Sequence, residues 1–164
     1  MSDNAAFERL QPSLLDRLTD LEPGERTETR AARVIDLNRL REIVQRDLAW
    51  LLNTQNAEDM YDPERYPLAA ASTLNYGITP TSGDHSTARK AEEVRRSILR
   101  AIAAYEPRLV KGTISVELRR EESVGEMHVA FDIRADLWAH PTPLELYLRS
   151  RIDLTTGEIE MERA

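Results

Sequence analysis

Apolar positions recur along this chain with two different periods, and the change between them divides it. Leu37, Leu40, Val44, Leu48 and Leu51 fall at spacings of three and four, with Ile43 and Leu52 widening the stripe. Arg39, Arg41, Glu42, Arg46 and Asp47 fill much of the remaining surface, as in an amphipathic helix with one buried face. Asp36 is placed to accept from the free N–H groups of its first turn, and Asn53 to end it. Ala88, Ala91, Val94, Ile98, Ala101, Ile102 and Tyr105 form a second stripe of the same kind, opposite Arg89, Lys90, Glu92, Glu93, Arg95, Arg96 and Arg100. Between these helices Pro67 opens a short helix expected over Leu68 to Asn75, ending at Gly77, and Thr79 to His85 reads as loop.

Beyond residue 110 the period becomes two. Ile114, Val116 and Leu118 alternate with polar residues. Val129, Phe131, Ile133, Ala135 and Leu137 do so after a hairpin loop at Glu121 to Glu126. Leu144, Leu146, Leu148 and Ile152 make a third strand, and Leu154 to Gly157 turns into a short tail with Ile159 and Met161. One apolar and one polar face predict an antiparallel meander covered on one side. The fold class expected is α+β, with N-terminal helices packed on one face of a C-terminal three-stranded antiparallel β-meander. Residues 1–33 read as an N-terminal arm and charged linker, and 34–164 as a single domain. The arm carries Phe7, Leu10, Leu14, Leu15 and Leu18 at helical spacing, as a peripheral helix or a segment that orders on a partner.

Composition narrows the function classes. A chain of 164 residues buries roughly 70% of its unfolded surface, enough for one core. A formal charge of −7 disfavours general nucleic-acid binding, which needs a basic face. The absence of cysteine excludes disulfides and thiolate metal sites and suits a reducing compartment. No basic segment followed by an apolar run opens the chain, and no apolar run approaches the ~20 residues of a membrane span. The expectation is a cytoplasmic protein without membrane insertion. His85, His128 and His140 are scattered, the glycines form no phosphate loop, and no cofactor or metal is implied.

The densest candidate chemistry is Glu106-Pro107-Arg108, where the second helix meets the first strand. Pro107 cannot continue a helix, and Glu106, preceding proline, is pushed out of helical geometry. In an extended segment Glu106 and Arg108 project to the same side. The pair fits an internal lock, a partner-binding fork, or half of an active site. A lysozyme-like glycoside hydrolase would use Glu106 as general acid with Asp132 or Asp136 about 5–9.5 Å away. The neighbouring Arg108 cation favours ionised Glu106, the wrong direction for an acid. Aromatic content of 5% is also thin for a sugar cleft.

Four separate pieces, in order, then carry a family resemblance. They are Arg46-Asp47-Leu48 with Leu51-Leu52-Asn53-Thr54, Ser72-Thr73-Leu74-Asn75-Tyr76-Gly77, Glu106-Pro107-Arg108-Leu109, and Ile152-Asp153-Leu154 with Gly157. In these the chain resembles the TssE family of type VI secretion baseplate subunits, related to a wedge protein of contractile phage tails. After Tyr76-Gly77 the family usually continues Leu-Pro-Asp, where this chain has Ile78-Thr79-Pro80. The resemblance implies a non-enzymatic structural subunit that joins the wedge proteins TssF, TssG and TssK and helps to dock or initiate the contractile sheath of TssB and TssC. A regulatory or anti-adapter binding module of the same fold is the other non-enzymatic reading. Candidate partner-binding residues are Glu106, Pro107 and Arg108 at the joint. Glu145, Tyr147 and Arg149 join them on the stretch Glu145 to Asp153, read as a sheet edge open to a sheath strand.

Overall fold

A computed structural model describes residues 13–20, 23–24, 35–80, 87–119, 128–138, 144–153 and 158–163. The outer part of the expected arm, most of the linker, the hairpin loop, the break at residues 139–143, and the turn at Leu154 to Gly157 lie outside the described residues. Two compact units are distinguished, 1–44 and 45–164, with the boundary inside one helix.

In the first unit, helix α1 spans Leu14–Leu18, with Leu14, Leu15 and Leu18 exposed. Helix α2 spans Leu37–Leu52. The Oδ1 of Asp36 accepts from the backbone N–H of Arg39 at 2.7 Å, so the expected cap is formed. Leu40, Ile43 and Val44 are buried, as the helical stripe requires, whereas Leu37, expected to open that stripe, is 42% exposed at the first turn.

In the second unit Leu48, Leu51 and Leu52 continue that stripe into the interior. The segment expected as one helix from Pro67 is two pieces, α3 at Pro67–Ala70 and a 3-10 turn at Thr73–Asn75. Ser72 causes the break. Its backbone is extended, and its hydroxyl accepts from the N–H of Leu74 at 3.2 Å, restarting the chain as a new turn. Helix α4 spans Thr87–Tyr105 and buries Ala91, Val94, Ile98, Ala101 and Ile102. It stops two residues before Pro107, as proline dictates.

The sheet is antiparallel, but it has four strands in the order β1-β2-β3-β4, not three. Strand β1 is Ser115–Arg119, β2 His128–Leu137, β3 Leu144–Asp153 and β4 Ile159–Arg163. What the sequence pattern marks as a tail is therefore a strand, pairing Ile159 with Ile152 and Arg163 with Leu148. Alternation holds well on β2, where Val129, Phe131, Ile133, Ala135 and Leu137 are all buried. It fails at Leu118 on β1, which is 48% exposed. Helix α4 lies against β1, where Nη1 of Arg95 donates to the carbonyl of Val116 at 3.5 Å.

Candidate functional site

The joint between α4 and the sheet is a turn rather than an extended segment. The N–H of Glu106 completes the last helical bond to Ile102 at 3.0 Å, and the N–H of Leu109 closes back on the Glu106 carbonyl at 3.2 Å. The sequence-based picture had Glu106 and Arg108 side by side through strand alternation. They are side by side because the turn folds Arg108 back over Glu106. Oε1 of Glu106 accepts from the backbone N–H of Arg108 at 3.1 Å and from its Nε at 2.6 Å, while Oε2 accepts from Nη2. Both carboxylate oxygens are thus occupied by one residue. The Glu106 side chain is only 4% exposed.

Arg108 does more than hold Glu106. Its Nη2 also donates to Oδ2 of Asp47 on α2, 61 residues away in sequence, at 2.7 Å. Oδ1 of Asp47 accepts from Nε and Nη2 of Arg46 at 2.9 and 2.7 Å, and the Arg46 guanidinium stacks on the Trp50 ring at 4.8 Å. The result is an alternating chain, Arg46–Asp47–Arg108–Glu106, in which every charge meets its opposite. Burial works against the Arg108 charge, yet the hydrogen bonds to Glu106 and Asp47 more than offset it and its pKa lies above the ordinary value. The Tyr76 hydroxyl is also pushed up, first by burial and then by the Asp47 and Glu106 charges. Its ring meets Tyr105 edge-on at 5.4 Å.

The joint also starts the sheet. The carbonyl of Arg108 accepts from the N–H of Trp138 at 2.7 Å, and the N–H of Val110 donates to Asp136 at 2.8 Å, so Leu109 pairs with Leu137. A turn through Gly112, at φ +96°, separates this pairing from β1 proper. Within it the Thr113 hydroxyl accepts the Asp136 N–H at 2.9 Å, which keeps the ladder satisfied across the interruption.

A second framework holds the end of α2. Gly77 sits at φ +122°, and a Cβ there would lie 2.3 Å from the Thr54 carbonyl oxygen. Close approach, rather than the end of a helix, is why glycine stands at this position. It lets Ile78 pair with the Thr54–Asn56 segment, with bonds of 2.8 and 2.9 Å. The buried Asn75 accepts the Ala57 N–H at 3.2 Å.

The remaining expected site residues lie on β3. Glu145 and Arg149 are exposed, and Tyr147 is stacked between Arg134 and Arg149, at 5.0 and 5.8 Å from its ring. The stretch Glu145 to Asp153 is not a free edge. β2 pairs with all of β3, and on the other side β4 covers Leu148 to Ile152 and Glu158 meets Asp153, leaving only Leu144 to Tyr147 without a partner on that side among the described residues. The fourth strand explains the difference.

Sequence reasoning missed two residues that tie distant elements together. Asp47 completes the joint, and Asn53 binds the sheet. The Asn53 amide donates to the Ile159 carbonyl and accepts the Ile159 N–H, both at 2.9 Å and across 106 residues. The quoted motifs contain both residues, but nothing local in them states a partner. Among the described residues no group of His, Asp or Glu is gathered as a metal site, and no helix is long and apolar enough to cross a membrane.

The family described as baseplate wedge protein gp25 matches residues 38–142 of the chain. The chain belongs to this family. The matched span runs from the first turn of α2, through the Arg46–Asp47–Arg108–Glu106 chain, to just past the end of β2. It bears out the resemblance to TssE, whose family this is. Among curated proteins and solved structures, none matches the chain. The baseplate wedge family is a structural component of baseplates, and this chain's general role is that of a baseplate component.

Proposed function

We propose that the chain is a non-enzymatic subunit of a type VI secretion baseplate, working in the cytoplasm, that joins TssF, TssG and TssK and helps to dock the TssB/TssC sheath. The observation that carries this reading is the family match, taken with the state of Glu106. A general acid must present a proton to a substrate in an open cleft. Glu106 is buried, with both oxygens accepting from Arg108. The lysozyme-like alternative loses its acid for this reason.

In this reading Glu106, Pro107 and Arg108 act first as an internal brace, and the exposed part of Arg108 touches a neighbouring wedge subunit. Helix α4 lies against β1, and in this reading partners meet the polar side of the sheet, with Glu145, Tyr147 and Arg149 among the residues that meet them. The Arg134–Tyr147–Arg149 stack supports this, because rigid aromatic and arginine groups carry much of the energy of protein interfaces. Sheath docking proceeds by strand addition at a sheet edge.

The test is co-purification of the chain with TssF, TssG and TssK, paired with a peptidoglycan-clearing assay on the purified chain. Stable co-elution without clearing is expected. Clearing activity abolished by Glu106→Gln would overturn the reading.

A further inference from the structure

A cavity of about 140 Å³ lies between α4 and the segment that links α2 to it. Its lining combines three small residues, Ala70, Ala101 and Ala104, with the polar Glu58, Arg100 and Tyr105. Two polar groups there are unfinished. Oε2 of Glu58 accepts from the Thr79 hydroxyl at 2.9 Å and lies 3.5 Å from Nη2 of Arg100, whereas Oε1 has no hydrogen-bond partner among the described residues. The Tyr61 hydroxyl is buried and has none either. It stands near the cavity wall, since the Tyr105 phenol is pushed up first by burial and then by Tyr61 and Glu58. A buried hydroxyl without a partner is costly to keep, so an unmet one beside a polar cavity marks a position that a bound group would satisfy.

The charge of that group follows from the surrounding sequence. Residues 57–66 carry Glu58, Asp59, Asp62 and Glu64 against one arginine, Arg65. Arg100 is 63% exposed and meets Glu58 only at long range, the weak and solvated kind of ion pair that another cation displaces. An ammonium is compact, with three rotatable donors on a slender stem. It suits two acceptors in an alanine-lined cleft better than the broad, planar guanidinium does. We propose that this cavity receives one lysine side chain of a neighbouring baseplate subunit, its ammonium on Oε1 of Glu58 and the Tyr61 hydroxyl and its methylenes along Ala70, Ala101 and Ala104. Met60, Leu68 and Leu74, strongly exposed on the same stretch of chain, give the partner surface around that lysine an apolar footing, which a free amine would not need. This inference rests on the reading that the chain sits among other baseplate subunits, and names the chemistry of one contact.

The test titrates the full-length protein with N-acetyl-lysine methylamide and follows the amide resonances of Gly77 and Ser97, two residues of the cavity wall. The norleucine analogue, which lacks the ammonium, is the control. Glu58→Gln keeps an acceptor for Thr79 and should weaken lysine binding about tenfold at an unchanged melting temperature. Tyr61→Phe should weaken it about threefold without loss of stability, because no hydrogen bond of the fold is removed. Arg100→Gln removes the competing cation and should tighten it. Equal binding of the norleucine analogue, or no loss in Glu58→Gln and Tyr61→Phe, overturns the proposal and leaves a water-filled cleft. Weaker binding in Arg100→Gln also overturns it, since the ligand would then carry a carboxylate. Putrescine binding more tightly than the lysine analogue overturns the protein source in favour of a free amine. Co-purification with TssF, TssG and TssK that Glu58→Gln leaves undiminished overturns the assignment of the lysine to a wedge subunit. If the wild type itself fails to co-purify while the lysine analogue binds as described, the baseplate reading fails and the ammonium chemistry of the cleft stands.

Discussion

The two ends of the sheet are finished in opposite ways. At the entering end the chain comes off α4 through a turn whose charges are all consumed internally. Arg108 grips Glu106 and Asp47, its carbonyl holds Trp138, and Arg95 from α4 reaches the Val116 carbonyl of the edge strand. At the leaving end, among the described residues, β4 is tied on its outer side by one neutral amide, Asn53, at its first residue. A buried ion network is costly to break from one side, because the partner left behind is an uncompensated charge. A single amide–backbone pair can be lost or exchanged for another strand at modest cost. The entering end is held by several charged contacts, and the leaving end, among the described residues, by a single neutral one.

The largest expected effect breaks the entering end. Arg108→Ala leaves the buried Glu106 without its cation while Asp47 keeps Arg46, and urea denaturation should show a loss of about 3 kcal/mol. Arg108→Lys should recover only part of it, because an ammonium cannot fork across both carboxylates. A loss no larger than that of an exposed ion pair would mean the network is not the brace described here.

Next comes the segment that positions Asn53. Gly77→Ala places a methyl group against the Thr54 carbonyl at a positive φ, and should cost roughly 2 kcal/mol or more. Amide exchange should speed up at Ile159 while Val110 stays protected. Equal loosening at both ends would remove the distinction between them.

Asn53→Ala should cost less, about 1–2 kcal/mol in denaturant unfolding, with the change in exchange confined to β4. The smallest effect is expected on the exposed face of α4. Arg95 and then Arg96 hold the Glu92 carboxyl at about 2, below its ordinary 4.5. A depressed acid stabilises the fold above its unfolded pKa and loses that contribution as pH falls through the folded one. The melting difference between wild type and Glu92→Gln should therefore be small and constant above about pH 5 and should vanish near pH 2.

Helical and strand periods were enough to place α2, α4, β2 and β3, because each buries a face long enough to repeat, whereas β1, also placed, buries only Val116. Pro107 marked the end of α4 to the residue. β4 escaped because Ile159 and Met161 are only two alternating positions, and what makes them a strand is pairing with β3 and an amide 106 residues away. The site was half legible for the same reason. Glu106 and Arg108 announce themselves as neighbours in sequence, whereas Asp47 joins them only after the chain has folded. The expected extended geometry at the joint failed because a side-chain carboxylate captured the Arg108 N–H and stabilised a turn.

Residue-resolved hydrogen exchange on the full-length protein, alone and with the proposed wedge and sheath partners, tests the difference between the ends most directly. Val110 should exchange slowly in both states, whereas the Met161 amide should exchange freely alone and become protected in the complex. Protection of Met161 in the isolated chain, or none gained with partners, would contradict the account.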